Sequence, residues 1–285
     1  MTRYNLTTVL TLVLLIVLAP ARILHGQANS TKLIDDFNDG NDDGWASLDF
    51  LQILGLGETI FDASTNAYTI RSVDEVVPIT AGCGASGSFW EPSTKGARDK
   101  HRYSNGTVRA TLRFDNDISN GYVGMRYDPE TISLYDFFAN NSIDVIGIGR
   151  ITNAQTVDLV AAPFELATGQ DYIVEATAVG PQLSIKIWKT GDDEPAEPQL
   201  FVMDDAFTSG ELGLVSYYCA GDSGDIMSTS FDDVTFTPGN SAFGADRSSV
   251  KGVPEPAGFV VMCMGIVALG LMRRRSNAWR TVFDA

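Results

Sequence analysis

Aspartates are the residues of this chain whose type and spacing best suit metal chemistry, because carboxylate oxygens are the hard ligands that Ca²⁺ prefers. They concentrate in an early run, residues 35–43, and in a late pair, Asp232 and Asp233. Val234 and Phe236 follow the late pair at period 2, which predicts an inward-facing side that Asp232 shares. An inward carboxylate needs a cation or backbone N–H donors. The early run lacks EF-hand spacing, and the alternative is an acidic turn solvated by water.

Cysteine and histidine limit the other kinds of site. The chain has two histidines, His25 and His101, so a zinc centre or a Ser-His-Asp triad has almost nothing to be built from. Of the three cysteines, one lies in an apolar C-terminal run, which leaves Cys83 and Cys219. In an oxidising compartment these two predict a disulfide that closes a long loop. The alternative is two separate thiols.

Charge narrows the choice of partners. The chain carries 20 Lys and Arg against 36 Asp and Glu, a formal net charge of −16. Such a surface repels nucleic acid and anionic lipid. It suits an exported protein, either simply for solubility or for binding divalent cations.

The first 28 residues have the three-part pattern of a secretory signal peptide. Arg3 precedes an apolar run at 6–18, and Gly26 and Ala28 supply the small residues of a cleavage site. The alternative is an N-terminal membrane anchor, for which the run is short. We therefore expect the remainder of the chain to be exported.

The C-terminal end, residues 253–285, has three parts with different physical roles. Pro254, Glu255 and Pro256 form a stiff segment, because proline fixes φ and removes a backbone donor. Residues 257–272 are uncharged and almost wholly apolar, which predicts a membrane helix. Arg273, Arg274 and Arg275 then favour the cytoplasmic side.

This order of parts resembles the PEP-CTERM sorting signal of bacteria. The resemblance implies that an exosortase, a membrane-embedded peptidase, reads the tail and that the protein passes from an inner-membrane precursor to the cell surface or extracellular matrix. The alternative is an ordinary single-span tail anchor.

Residues 29–237 read as one all-β domain, an antiparallel β-sandwich. Short strands with period-2 alternation recur between turn signals, most clearly at 102–114, 172–179 and 182–189. No helix-period segment occurs outside the two membrane pieces. A Gly- and Ser-rich linker at 238–252 follows the domain.

Three motifs of this domain resemble the concanavalin A-like and laminin-G-like jelly rolls: LIDDF at 33–37, DY at 171–172 running to IWK at 187–189, and GL at 213–214 running to FDDV at 231–234. In that superfamily the first and last strands pair. The resemblance thus implies that Asp35 and Asp36 lie near Asp232 and Asp233, where they would hold a structural Ca²⁺ between the strands.

The resemblance to these jelly rolls also bears on whether the protein is an enzyme or a binding protein. Its glycoside hydrolases carry Glu-x-Asp-x-x-Glu on one strand, and that pattern is absent here; Glu175 has no carboxylate partner two or four positions away. Its glycan-binding members use exposed aromatic side chains, for which the candidates are Trp90, Tyr217 and Tyr218. We therefore predict a non-catalytic surface or matrix protein that binds an extracellular polysaccharide. The alternatives are a carbohydrate-active enzyme and a protein-adhesion module.

Overall fold

The computed structural model describes residues 30–91 and 102–239. Within them the chain forms fifteen strands and one short helix. The elements are β1 Lys32–Asp35, β2 Trp45–Leu48, α1 Phe50–Leu54, β3 Thr59–Asp62, β4 Tyr68–Ser72, β5 Cys83–Trp90, β6 Gly106–Phe114, β7 Asn120–Asp128, β8 Ser133–Asn140, β9 Val145–Thr152, β10 Gln155–Pro163, β11 Asp171–Val179, β12 Gln182–Lys189, β13 Leu200–Met203, β14 Glu211–Cys219 and β15 Ser228–Pro238.

The strands form two antiparallel sheets that pack face to face. The first sheet has the order β13-β12-β11-β6-β15-β4-β3, with β1 also paired to β15. The second sheet has the order β10-β9-β8-β7-β14-β5-β2. The predicted all-β antiparallel sandwich is confirmed, and the order of strands is consistent with a jelly roll.

The main core lies between the sheets, and alternation along the strands builds it. On β6, Val108, Ala110 and Leu112 point inward, while the residues between them are half-exposed. Phe231 and Val234 of β15 enter the same cluster. The predicted pairing of first and last strands is also confirmed, since Leu33 of β1 faces Thr235 of β15.

Two elements depart from the sequence prediction. The Gly-rich sequence at 74–87 has no strand periodicity and indicates an irregular segment, yet its end belongs to strand β5, which is buried along its whole length. Its glycines are required by packing: a Cβ on Gly84 would lie 2.4 Å from the Tyr218 ring, and one on Gly87 would lie 2.6 Å from Val215. Low strand propensity is thus tolerated because neighbouring side chains of β14 fill the space.

The one helix of the described residues is α1, a single turn that the sequence pattern did not predict. Asp49 caps its N-terminus by accepting a hydrogen bond from the Gln52 N–H at 3.0 Å. Gly55 ends it in the left-handed conformation, φ 70°. In the described part of the chain no helix has both the length and the apolar character needed to cross a bilayer. The predicted signal peptide and tail helix lie outside the described residues.

Candidate functional site

A groove opens on the outer face of the second sheet, on the side away from the main core. Its volume is about 410 Å³, within the range of small-molecule sites. Strands β5, β7, β8, β9, β10 and β14, the loop before β5 and the loops that follow β8 and β14 contribute to it. The lining side chains that the site argument uses are Tyr122, Asp136, Phe138, Asn140, Asp158, Tyr217 and Asp222.

Alternation along β8 supplies the floor of the groove. Tyr135 and Phe137 point into the main core, so Asp136 and Phe138 point the other way. Across the β7–β8 ladder, Phe138 pairs directly with Tyr122. Tyr122 in turn lies 5.9 Å, centroid to centroid, from the Tyr217 ring. Three aromatic side chains therefore form one continuous apolar surface.

Glycines on β9 make the floor possible. A Cβ on Gly147 would lie 2.2 Å from the Phe138 ring, and one on Gly149 would lie 2.5 Å from Asp136 Oδ1. The two outward side chains of β8 therefore lean across β9 where it carries only hydrogen atoms. Any larger residue at either position would push them back.

Asp136 is the most unusual group in the groove. Its side chain is only 4% exposed, and its Oδ1 has no hydrogen-bond partner. Burial, reinforced by the charge of Asp158, raises the pKa of Asp136 to about 7. A buried carboxylate of this kind is a frequent mark of a functional site.

Sheet register brings the two carboxylates together. Gly149 of β9 pairs with Asp136 on one side and with Asp158 on the other, so the three residues form a row across the sheet. Asp158 is exposed at the rim of the groove, and partial desolvation there raises its pKa. No Lys or Arg is among the described residues that line the groove.

Polar groups also line the side of the groove near the end of β14. Asp222 accepts a hydrogen bond from the Cys219 N–H at 2.8 Å, and burial raises its pKa. Asn140 accepts a hydrogen bond from the Ser142 hydroxyl at 2.9 Å. The site thus combines an apolar aromatic surface with a few convergent polar groups, the usual make-up of a small-molecule site.

The predicted disulfide is present and forms part of the groove wall. Cys83 at the start of β5 is bonded to Cys219 at the end of β14. The two residues are also opposite each other in the β5–β14 ladder. The bond therefore closes one end of the sheet beside the groove.

The three predicted aromatic ligand residues have different positions. Tyr217 lines the groove. Trp90, predicted in an exposed loop, instead ends β5 inside the main core and packs edge-on against Trp45, so that prediction is wrong. Tyr218 is fully buried beside Leu51 and donates a hydrogen bond to the Val77 carbonyl, which also makes it unsuitable as a ligand residue.

The predicted calcium residues are held in other ways. Asp35 accepts hydrogen bonds from the Phe37 N–H at 2.9 Å and from the Trp45 indole at 3.0 Å, so its carboxylate already has the donors that burial requires. Asp36 accepts from the Asn38 N–H at 3.2 Å, an acidic turn of the kind offered as the alternative.

The inward orientation predicted for Asp232 is wrong. A bulge shifts the register between Asp232 and Thr235, and Asp233 takes a positive φ of 50°. Phe231 and Val234 both enter the core, and Asp232 is left partly exposed. Within residues 30–91 and 102–239, no group of three or more His, Cys, Asp or Glu is placed to hold a metal ion. Structural calcium between the first and last strands stays a prediction.

Sequence reasoning missed Asp136 and Asp158 as site residues. The available signal was a lone aspartate among apolar residues in β8, SLYDFFAN, on a strand with no polar face. An aspartate on such a strand is buried, because other residues cover both faces of the strand. Its partner across β9 could not be identified from one sequence.

Comparison with known proteins gives likenesses of fold alone. No protein-family model matches the chain, and no curated protein matches it. Among solved structures, a native glycosidic hydrolase has a TM-score of 0.51 at 9% identity, covering 74% of this chain and 97% of that one. The carbohydrate-binding module CBM66 from Bacillus subtilis has 0.49 at 14% identity, covering 69% and 97%. A Bacillus licheniformis beta-glucanase has 0.48 at 13% identity, covering 74% and 99%.

Proposed function

We propose that this protein is an exported, non-catalytic glycan-binding protein and that the groove on the second sheet is its binding site. The observation that carries the proposal is the pairing of an aromatic surface with convergent polar groups in one groove. Tyr122, Phe138 and Tyr217 supply the surface, and Asp136 and Asn140 lie beside it.

This combination suits a saccharide. The C–H face of a pyranose ring is apolar and packs on an aromatic ring, while its hydroxyls need hydrogen-bond partners when they leave water. Asp136 lines the groove and has a carboxyl oxygen without a partner, so it can accept a hydrogen bond from a sugar hydroxyl. The shared fold of the native glycosidic hydrolase is compatible with this use but does not carry it.

The test is direct binding of oligosaccharides to the full-length chain, measured by calorimetry after a glycan-array screen. Tyr217→Ala removes an aromatic face of the groove and should weaken binding at least tenfold. The matched control is Phe201→Ala, since Phe201 is a partly exposed aromatic residue of β13 on the first sheet. Melting curves of both variants establish that they fold. Absence of any glycan ligand, or equal affinity of Tyr217→Ala and wild type, would refute the proposal.

The two carboxylates favour one second candidate, a glycoside hydrolase. Asp136, with a pKa of about 7, would serve as the general acid, and Asp158 across Gly149 as the second carboxylate. Shortened products from a bound oligosaccharide, lost in Asp136→Asn, would establish this candidate. Binding without turnover supports the non-catalytic function.

We also propose that residues 253–285 act as an exosortase-read sorting tail that delivers the domain to the cell surface or extracellular matrix. The disulfide is compatible with such a location, since disulfides persist outside the cytoplasm. The triple substitution Pro254→Ala, Glu255→Ala and Pro256→Ala leaves the spanning segment intact. It should leave a full-length form in the inner membrane, whereas wild type yields a shorter released form on an immunoblot. Indistinguishable fractionation of the two would leave a plain tail anchor.

A further inference from the structure

We propose that the sugar bound in the groove carries a free amino group, so that the ligand is a glycan containing unacetylated hexosamine. This inference rests on the proposed function and names the ligand class of the same site. The groove presents carboxylates and aromatic rings with no cation among its described lining residues. The ammonium group of an amino sugar complements both, because carboxylates and aromatic faces each attract a positive charge.

The first step concerns the charge that the groove leaves uncompensated. Asp136 is buried, its Oδ1 has no hydrogen-bond partner, and Asp158 adds a second carboxylate at the rim. A buried polar atom without a partner is unfavourable, so a ligand that supplies an N–H donor gains what the free protein lacks. A positively charged donor gains most, because it also relieves the repulsion between the carboxylates.

The second step concerns geometry. Asp136 leans over Gly149, and Asp158 lies one strand further along the same row. Adjacent strands are about 4.8 Å apart, so the two Cα atoms lie on the order of 10 Å apart. The Asp136 carboxyl group itself fills the space directly over Gly149. An ammonium group on the Asp158 side of that carboxyl group would lie between the two carboxylates and could use its donors on both.

The third step compares a metal ion with an organic cation as the occupant. Within the described ranges no set of three or more Asp, Glu, His or Cys is arranged to hold one. The remaining surface of the groove is aromatic, from Tyr122, Phe138 and Tyr217. Aromatic faces attract an organic cation and pack against the ring that bears it, whereas they offer a metal ion no ligand.

The same arrangement predicts what the groove rejects. An N-acetyl group replaces the charge with a neutral amide, so the attraction to the carboxylates is lost. A uronic acid places a further negative charge beside these carboxyl groups and is repelled. Selectivity should therefore run from free amine through neutral sugar to uronate.

The experiment measures calorimetric affinity of the full-length chain for three length-matched β-1,4 oligomers at about pH 7: glucosamine, N-acetylglucosamine and glucose. We expect the glucosamine oligomer to bind at least tenfold more tightly than the other two. Added salt should reduce that ratio, since part of it is electrostatic.

Asp158→Asn tests the assignment without disturbing the interior, because Asp158 is exposed. It should reduce the ratio of affinities for the glucosamine and glucose oligomers at least threefold. The control is Asp193→Asn, an equal change of charge in the exposed loop between β12 and β13. Asp136→Asn should abolish the preference.

The outcomes separate the two proposals. Equal affinity for amino and neutral oligomers, or an unchanged preference in Asp158→Asn, overturns this inference and leaves glycan binding intact. Tight binding of neutral or acidic glycans alone does the same. Failure of all oligosaccharides to bind overturns both proposals.

Discussion

The outer faces of the two sheets differ in how far their side chains are exposed to water. On the first sheet, β6, β11 and β12 alternate buried with partly exposed residues, as a solvated face does. On the second sheet, β5 and β8 are buried at every position, because both faces are covered. The first sheet therefore presents a surface to water, and the second encloses a groove.

The two sheets also differ in how their charged side chains are paired. On the first sheet, Glu194 lies 2.7 Å from both Arg109 and Lys186, so each charge has a partner. The hydrogen bond from Lys186 is the main cause that lowers the pKa of Glu194. Glu175 also pairs with Lys186 at 3.5 Å. In the groove, by contrast, Asp136 and Asp158 lie in one row across β9 with no Lys or Arg among the described lining residues.

Elsewhere in the protein a buried charge does have hydrogen-bond partners. The guanidinium of Arg126, a residue that is 2% exposed, donates to the carbonyls of Ser104, Phe207 and Gly180 at 2.6–2.9 Å. Asp136, equally buried, has an oxygen with no donor. The difference is consistent with the ligand role proposed for Asp136.

The largest effect should come from removing the Cys83–Cys219 disulfide, which joins β5 and β14 of the second sheet. Replacing Cys83 and Cys219 with Ala removes the disulfide and should cost roughly 2–5 kcal/mol of unfolding free energy, read from denaturant titration. Without reductant, the denatured wild type should show one reactive thiol, that of Cys263. Three reactive thiols in the full-length chain, or two in the shorter released form that lacks Cys263, would show that the bond does not form.

The next effect depends on pH. The folded-state pKa of Asp136, about 7, lies above the ordinary 3.8 of the unfolded chain, so the native state holds the proton more tightly. The corresponding stability is fully present below about pH 4 and is lost as pH rises through 7, with an upper limit of roughly 4 kcal/mol. Asp136→Asn should remove that slope and be the more stable protein at about pH 8.

Melting curves between pH 4 and 8 measure this difference. The matched control is Glu175→Gln on the first sheet, whose carboxylate has Lys186 as partner. A wild-type slope that persists in Asp136→Asn would assign the titration to another group.

A smaller effect tests the packing beneath the groove. The φ of Gly149 lies outside the left-handed region, so Gly149→Ala acts through sterics alone. Its Cβ would meet Asp136 Oδ1 at 2.5 Å, and the loss should be about 1–3 kcal/mol by denaturant titration. In an Asp136→Ala background the loss should shrink. Full additivity would contradict a direct contact.

The smallest effect belongs to the first sheet. Arg109 and Glu194 are each 41% exposed, so solvent screens their ion pair. Glu194→Gln should cost less than about 1 kcal/mol, and high salt should remove most of the difference in melting temperature. A loss as large as that of the disulfide variant would remove the contrast between the two faces.

Several features of this protein follow from its sequence alone. Strands β6, β11 and β12 were predictable because water covers one of their faces and keeps the period-2 pattern visible. The Cys83–Cys219 pair followed from having two cysteines in an exported domain. The acidic turn after β1 followed from side chains that hydrogen-bond their own backbone.

Only the tertiary structure decided the rest. Burial on both faces erased the pattern of β5, so Trp90 was misread as exposed. A one-residue bulge reversed the expected orientation of Asp232. Asp136 and Asp158 share one row of the sheet because both pair with Gly149 of the intervening strand β9, a relation set by register. Local sequence records how one strand meets water, whereas a site assembled across strands depends on pairings that no single strand contains.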